Sequence, residues 1–77
     1  MKVKVITNST YIEDEQICEF SNLRVKSLRD KFDNLIQIAS PLIKYAHWIE
    51  NEDDILFGYV VVMKDSYCLT VAKKLEG

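Results

Sequence analysis

Residues 40–54, SPLIKYAHWIENEDD, decide how the middle of the chain folds. They hold its only Pro, its only His and its only Trp, and end in four acids within five positions. Pro41 disfavours helical geometry at Ser40 but suits the first position of a new helix, with Ser40 as its cap. Leu42, Ile43, Ala46 and Ile49 then recur at the three-to-four-residue spacing of an amphipathic helix, with Tyr45 and Trp48 together on a neighbouring face. The spacing predicts a helix over residues 41–50. Acids at a helix C-terminus oppose its dipole, so ENEDD is expected in the loop that follows.

Upstream, Ser27 can cap another helix, with Asp30 answering it in an approximate capping box. Leu28, Phe32, Leu35, Ile36 and Ala39 form one apolar stripe, which predicts a helix over residues 27–39; Ile38 falls off the stripe. Earlier still, Val3 and Val5 alternate with Lys2 and Lys4 as a short strand with one buried face. Residues 11–20, YIEDEQICEF, read as irregular or strand-like, able to pair with that strand through Ile12, Cys18 and Phe20.

Downstream the period changes to two. ILFGYVVVM and YCLTVA are rich in β-branched and aromatic residues and flank a turn at KDS, which predicts an antiparallel hairpin over residues 55–73. Phe57, Tyr59, Val61 and Met63 share one face of its first strand, and Leu56, Gly58, Val60 and Val62 the other. Both faces are apolar, so this strand should lie inside the sheet or be covered on its second side by a partner. The expected fold is a single α+β domain over residues 1–77: two layers, a short N-terminal strand, two consecutive helices and a C-terminal hairpin.

Length and composition bound the function. A chain of 77 residues has room for one small core. Its apolar share of 48% and charged share of 29% are those of an ordinary globular domain, not a disordered tail. No apolar run approaches the roughly 18–20 residues that span a bilayer, and MKVKVITNST lacks the apolar core of a secretory signal, so the chain reads as cytoplasmic. Cys18 and Cys68 read as small buried side chains in a reducing compartment; a disulfide would need Cα atoms within about 7 Å. The preference for Lys and Ile over Arg, Ala, Gly and Pro favours AT-rich codons, the composition of a low-GC bacterium or its phages.

Catalytic and metal chemistry lack the residues they need. A zinc site wants three or four ligands, and one His with two distant Cys does not supply them. His47 and Glu50, three apart on the expected helix, could share a proton, but such surface pairs are common without chemistry. The acidic run lacks the glycine and closing glutamate of a calcium loop. Phosphate loops, dinucleotide fingerprints and redox pairs are absent from the sequence. The reading is therefore non-enzymatic, without cofactor or metal.

Recognition is what remains. Trp and Tyr are enriched at interface hot spots, so an aromatic anchor rimmed by acids, made of Tyr45, Trp48, Glu50, Glu52, Asp53 and Asp54, would suit a basic protein surface. The leading expectation is a small protein-binding module acting sterically, of the kind a phage or mobile element encodes to inhibit a host protein. Homodimerisation through a hairpin edge or the second apolar face is a related expectation. The alternative is a nucleic-acid-binding regulator using Arg24, Lys26, Arg29 and Lys31 against phosphates. It is weakened by the acids that flank these bases and by the lack of interleaved aromatics.

Overall fold

The computed structural model describes residues 1–75. In chain order these form β1 (Lys2–Ser9), β2 (Glu13–Glu19), α1 (Asn22–Ala39), one 3-10 turn (Ser40–Leu42), β3 (Ile43–Glu52), β4 (Ile55–Met63) and β5 (Tyr67–Lys74). The strands make one antiparallel sheet in the order β2-β1-β5-β4-β3, with α1 packed on one side of it. Two consecutive helices with a C-terminal hairpin are thus corrected to one helix and five strands, and the fold is mostly β.

The correction lies in residues 41–50, expected as a helix and found as most of β3. Pro41 does start helical geometry, but only for the single turn Ser40–Leu42. Beyond it, Ile43, Tyr45, Trp48 and Ile49 are β-branched or aromatic, types that pack well on a pleated surface. Ala46 and Trp48 meet the core under α1, whereas the alternate positions Tyr45, His47 and Ile49 pair with Val62, Val60 and Gly58 on the other face. Each face mixes apolar with polar residues, so a period of two is hidden and the spacing of Leu42, Ile43, Ala46 and Ile49 imitates a helix. The acidic run also differs from the expected loop. Glu50, Asn51 and Glu52 finish β3, and Asp53 and Asp54 make the turn into β4. Asn51 and Asp53 take positive φ angles of 51° and 52°, a region that Asn and Asp enter more readily than most residues.

The helix is longer than expected. It starts at Asn22, where the Ser21 hydroxyl accepts the Arg24 backbone N–H at 3.2 Å, so Ser21 rather than Ser27 is the cap. Val25 carries the apolar stripe back by one turn, which is what holds this extra segment to the sheet. Leu28 and Phe32 are buried, Leu35 and Ile36 pack beside them, and Ile38 is 82% exposed. Beneath the helix lie Val3, Phe57, Tyr59, Val61 and Ala72, with Phe32 5.5 Å from the Tyr59 ring and Phe20 5.8 Å from the Phe57 ring. Burying a side chain such as Phe57 stabilises the fold by about 1.5–3 kcal/mol.

The strand-like reading of residues 11–20 holds for β2, which pairs with β1 along its length. Cys18 and Phe20 reach the core; Ile12 is exposed. The hairpin over residues 55–73 is present as β4 and β5, with β4 inside the sheet. Cys18 stands opposite Val3 and Cys68 opposite Ser9, which puts them about 20 Å apart along the strand direction, and both are free thiols. Among the described residues, no helix is long and apolar enough to cross a membrane.

Candidate functional site

The helix covers one side of the sheet only. On the other side the strand registers line up four cross-strand rows. The central row runs Glu15, Ile6, Val71, Gly58, Ile49, and the next runs Glu13, Asn8, Leu69, Val60, His47. Tyr67, Val62 and Tyr45 follow on one flank; Ile17, Lys4, Lys73, Ile55 and Glu52 close the other. Ile6, Ile49, Val60, Val62, Leu69 and Val71 thus form a contiguous apolar patch on this open face. Gly58 sits at its centre for a packing reason. A Cβ there would lie 2.3 Å from the Thr70 carbonyl oxygen and 2.9 Å from Val71 Cγ1, so only glycine leaves room for the Val71 side chain. Val71 and Ile49 close over the gap and are buried, while Tyr45 and Tyr67 stand exposed beside them.

Charge frames the patch. Glu13 and Glu15 lie along the β2 edge, and Glu52, Asp53 and Asp54 at the β3–β4 tip. Lys4 pairs with Glu15 at 3.5 Å and Lys73 with Asp54 at 3.8 Å, so two lysines of this face are already answered, while Lys2, at its margin, has no carboxylate within 4.0 Å among the described residues. His47 Nε2 lies 3.9 Å from Glu52 Oε2, and its ring is 6.3 Å from that of Tyr45. Among the described residues, Glu13 and Asp53 have no basic side chain within 4.0 Å, and the frame is acidic.

The contact residues expected from sequence are divided by the strand. Tyr45 lies on the open face with Glu52, Asp53 and Asp54 at its far end. Trp48 and Glu50 lie on the helix side. Trp48 is half-buried, 5.7 Å from Phe32 and stacked 6.4 Å from Tyr59, with the Arg29 guanidinium 5.2 Å from its ring. Its indole N–H donates to Glu50 Oε1 at 2.7 Å. Tyr45 and Trp48 therefore do not share a face, because the segment is a strand. His47 and Glu50 likewise point to opposite sides. The open-face residues Ile6, Leu69 and Val71 were not singled out from sequence; the signal available was the apolar second face of β4.

The four bases of the alternative reading diverge. Arg24 and Lys31, seven apart, return to nearly the same flank of α1, about 20° short of two full turns. Arg29 is turned toward Trp48 and pairs with Asp33 at 3.3 Å. Lys26 lies about 200° around the helix from Arg24.

Among the described residues, no group of three His, Cys, Asp or Glu side chains is placed to hold a metal ion. Tyr59, on the helix side of β4, is buried. Burial raises its phenol above the ordinary value of 10.0, partly offset by a hydrogen bond from Thr70, with Cys68 adding to the rise. Comparison with known families, known proteins and solved structures finds no match for the chain.

Proposed function

We propose that this chain is a small cytosolic protein-binding module that acts sterically, covering another protein with the open face of its sheet. The observation that carries the reading is the contiguous apolar patch of half-buried Ile6, Val60, Val62 and Leu69 around the buried Ile49 and Val71, flanked by exposed Tyr45 and Tyr67, over which no layer lies among the described residues. Sheets ordinarily bury such a face against a second layer, and exposed apolar patches with polar rims are typical of interaction sites. Five strands about 4.8 Å apart and four rows about 6.8 Å apart give the whole face, charged frame included, a surface of roughly 600 Å². That approaches the roughly 800 Å² each partner buries in a standard interface. Tyr11 and Ile12, exposed at the neighbouring β1–β2 turn, can supply the remainder. The acidic frame selects a partner whose own apolar patch is edged by Lys or Arg.

Placing a charge in the patch tests this. Wild-type chain, Val60→Lys and Ile38→Lys are immobilised and exposed to host lysate, with circular dichroism checking the fold of each. A protein retained by wild type and Ile38→Lys but lost with Val60→Lys supports the reading. Retention by Val60→Lys sinks it. If the wild type is a dimer in solution and Val60→Lys a monomer, the covering layer is a second copy. The nucleic-acid reading is less favoured because its four bases do not converge on one surface.

A further inference from the structure

The helix leaves a second feature that the protein-binding reading does not use. Helix α1 packs over β3 and β4, so the helix-side faces of β1 and β2 run out from under it. Along β1 this face passes from Val3, fully buried, to Thr7. Along β5 it passes from Ala72, also fully buried, to Thr70. Where the apolar floor ends, a cleft of about 360 Å³ opens between the helix flank and β2, within the size range of small-molecule sites.

The lining is chemically sorted. Arg24, Ser27 and Lys31 form the helix wall. The two cations sit about 10 Å apart along the helix axis, near enough for both flexible side chains to meet on one acid group. Among the described residues, neither has a carboxylate within 4.0 Å, although Asp14 and Gln16 line the opposite wall. The floor sets a pair of hydroxyls among Val5, Leu28 and Cys68: Thr7 Oγ1 and Thr70 Oγ1 are 3.5 Å apart, and Thr70 is only 7% exposed. The Tyr59 ring, also buried, lines the cleft beside them. A solvated helix flank accounts for the cations alone; it does not account for a pair of threonine hydroxyls, one of them nearly buried, in the same cleft.

We infer that this cleft binds a small organic anion carrying hydroxyl or amine groups. Its phosphate or carboxylate would lie between Arg24 and Lys31, and its donors would meet Asp14, Gln16 and the threonine hydroxyls. Charge-assisted bonds from Arg and Lys are the strong contacts, and the floor selects for a polar body. The probes are glycerol 3-phosphate, glycerate, inorganic phosphate and glycerol, titrated into the full chain at constant ionic strength and followed by amide NMR shifts. The expected result is saturable shifts confined to residues lining the cleft, with glycerol 3-phosphate or glycerate saturating at least about tenfold below inorganic phosphate and glycerol showing no saturation. Which of the two acids binds more tightly distinguishes phosphate from carboxylate. An Arg24→Gln, Lys31→Gln double variant, both positions being exposed, should raise the half-saturation point about tenfold or more, roughly 1.4 kcal/mol, while keeping the wild-type spectrum elsewhere. Thr70→Ser should preserve binding and Thr70→Val weaken it. Shifts scattered over all lysines without saturation, or equal binding by the double variant, would overturn the inference.

Discussion

Replacing Trp48 and Tyr45 by alanine, one at a time, separates a strand from a helix at the position that matters most. Along a strand these side chains point to opposite faces; on a helix they would be neighbours with similar surroundings. Trp48 packs on Phe32 and Tyr59, lies under Arg29 and donates to Glu50, but is only half-buried. Removing a fully buried Trp costs about 3–5 kcal/mol. A half-buried one should cost about 2–3 kcal/mol once its ring contacts are included, since these overlap with burial and do not simply add. Tyr45 is 53% exposed and should cost less than about 0.5 kcal/mol. A domain of this size has about 4–12 kcal/mol of stability and loses about 4–8 °C of Tm per kcal/mol. Trp48→Ala should therefore remain folded but melt about 10–20 °C lower, with Tyr45→Ala within about 4 °C of wild type, both read by circular dichroism. Equal losses at the two positions would refute the strand and every facial assignment that follows from it.

Other substitutions probe the remaining elements. Gly58→Ala should destabilise by about 1–3 kcal/mol, because its Cβ meets the Thr70 carbonyl and the Val71 backbone; an unchanged or raised denaturation midpoint would contradict the β4–β5 register. Ser21→Ala should cost about 1 kcal/mol through loss of the cap, and Ser27→Ala, within the helix, should be neutral or slightly stabilising by the same unfolding assay. Burial makes the folded state hold the Tyr59 proton after the unfolded chain has released it, so this contribution is intact below pH 10 and declines as pH rises above it. The stability difference between wild type and Tyr59→Phe should accordingly shrink in unfolding experiments taken above pH 10, and a constant difference would count against the buried phenol.

Legibility followed the contrast between faces. The stripe Leu28, Phe32, Leu35 and Ile36 has a wet opposite side, so its period was plain; the β4–β5 hairpin was plain from β-branched density and a turn at residues 64–66. Strand β3 lacks both signals. Tyr45, His47 and Ile49 face the open side with Ala46, Trp48 and Glu50 behind them, and neither set is uniformly apolar. Ser40 and Pro41 gave a real helical start whose length local chemistry does not set. Asn51 at the end of β3 and Asp53 in the turn, residue types that favour tight turns, were the available hint that a hairpin, rather than a helix end, stood at this point. Trp48 reads from sequence as a contact anchor, and only the tertiary contact with Phe32 places it at the core's rim. The open face was foreshadowed by Gly58, Val60 and Val62, whereas Leu56, expected with them, packs against the core because of the irregularity between Ile55 and Phe57; the extent of the face depends on Ile6, Leu69 and Val71, which join it through long-range pairing.

The sheet order also has a consequence for how the molecule is made. Strand β5 lies between β1 and β4, so until residues 67–74 leave the ribosome the nascent chain holds two separate pieces, the β1–β2 ribbon and the helix with β3 and β4. Neither piece alone offers more than a two-stranded sheet, which is marginal in water. Strand β5 is a keystone inserted after synthesis of everything it joins here, and translation arrested before Tyr67 would release a fragment with oily surfaces and no way to seal them.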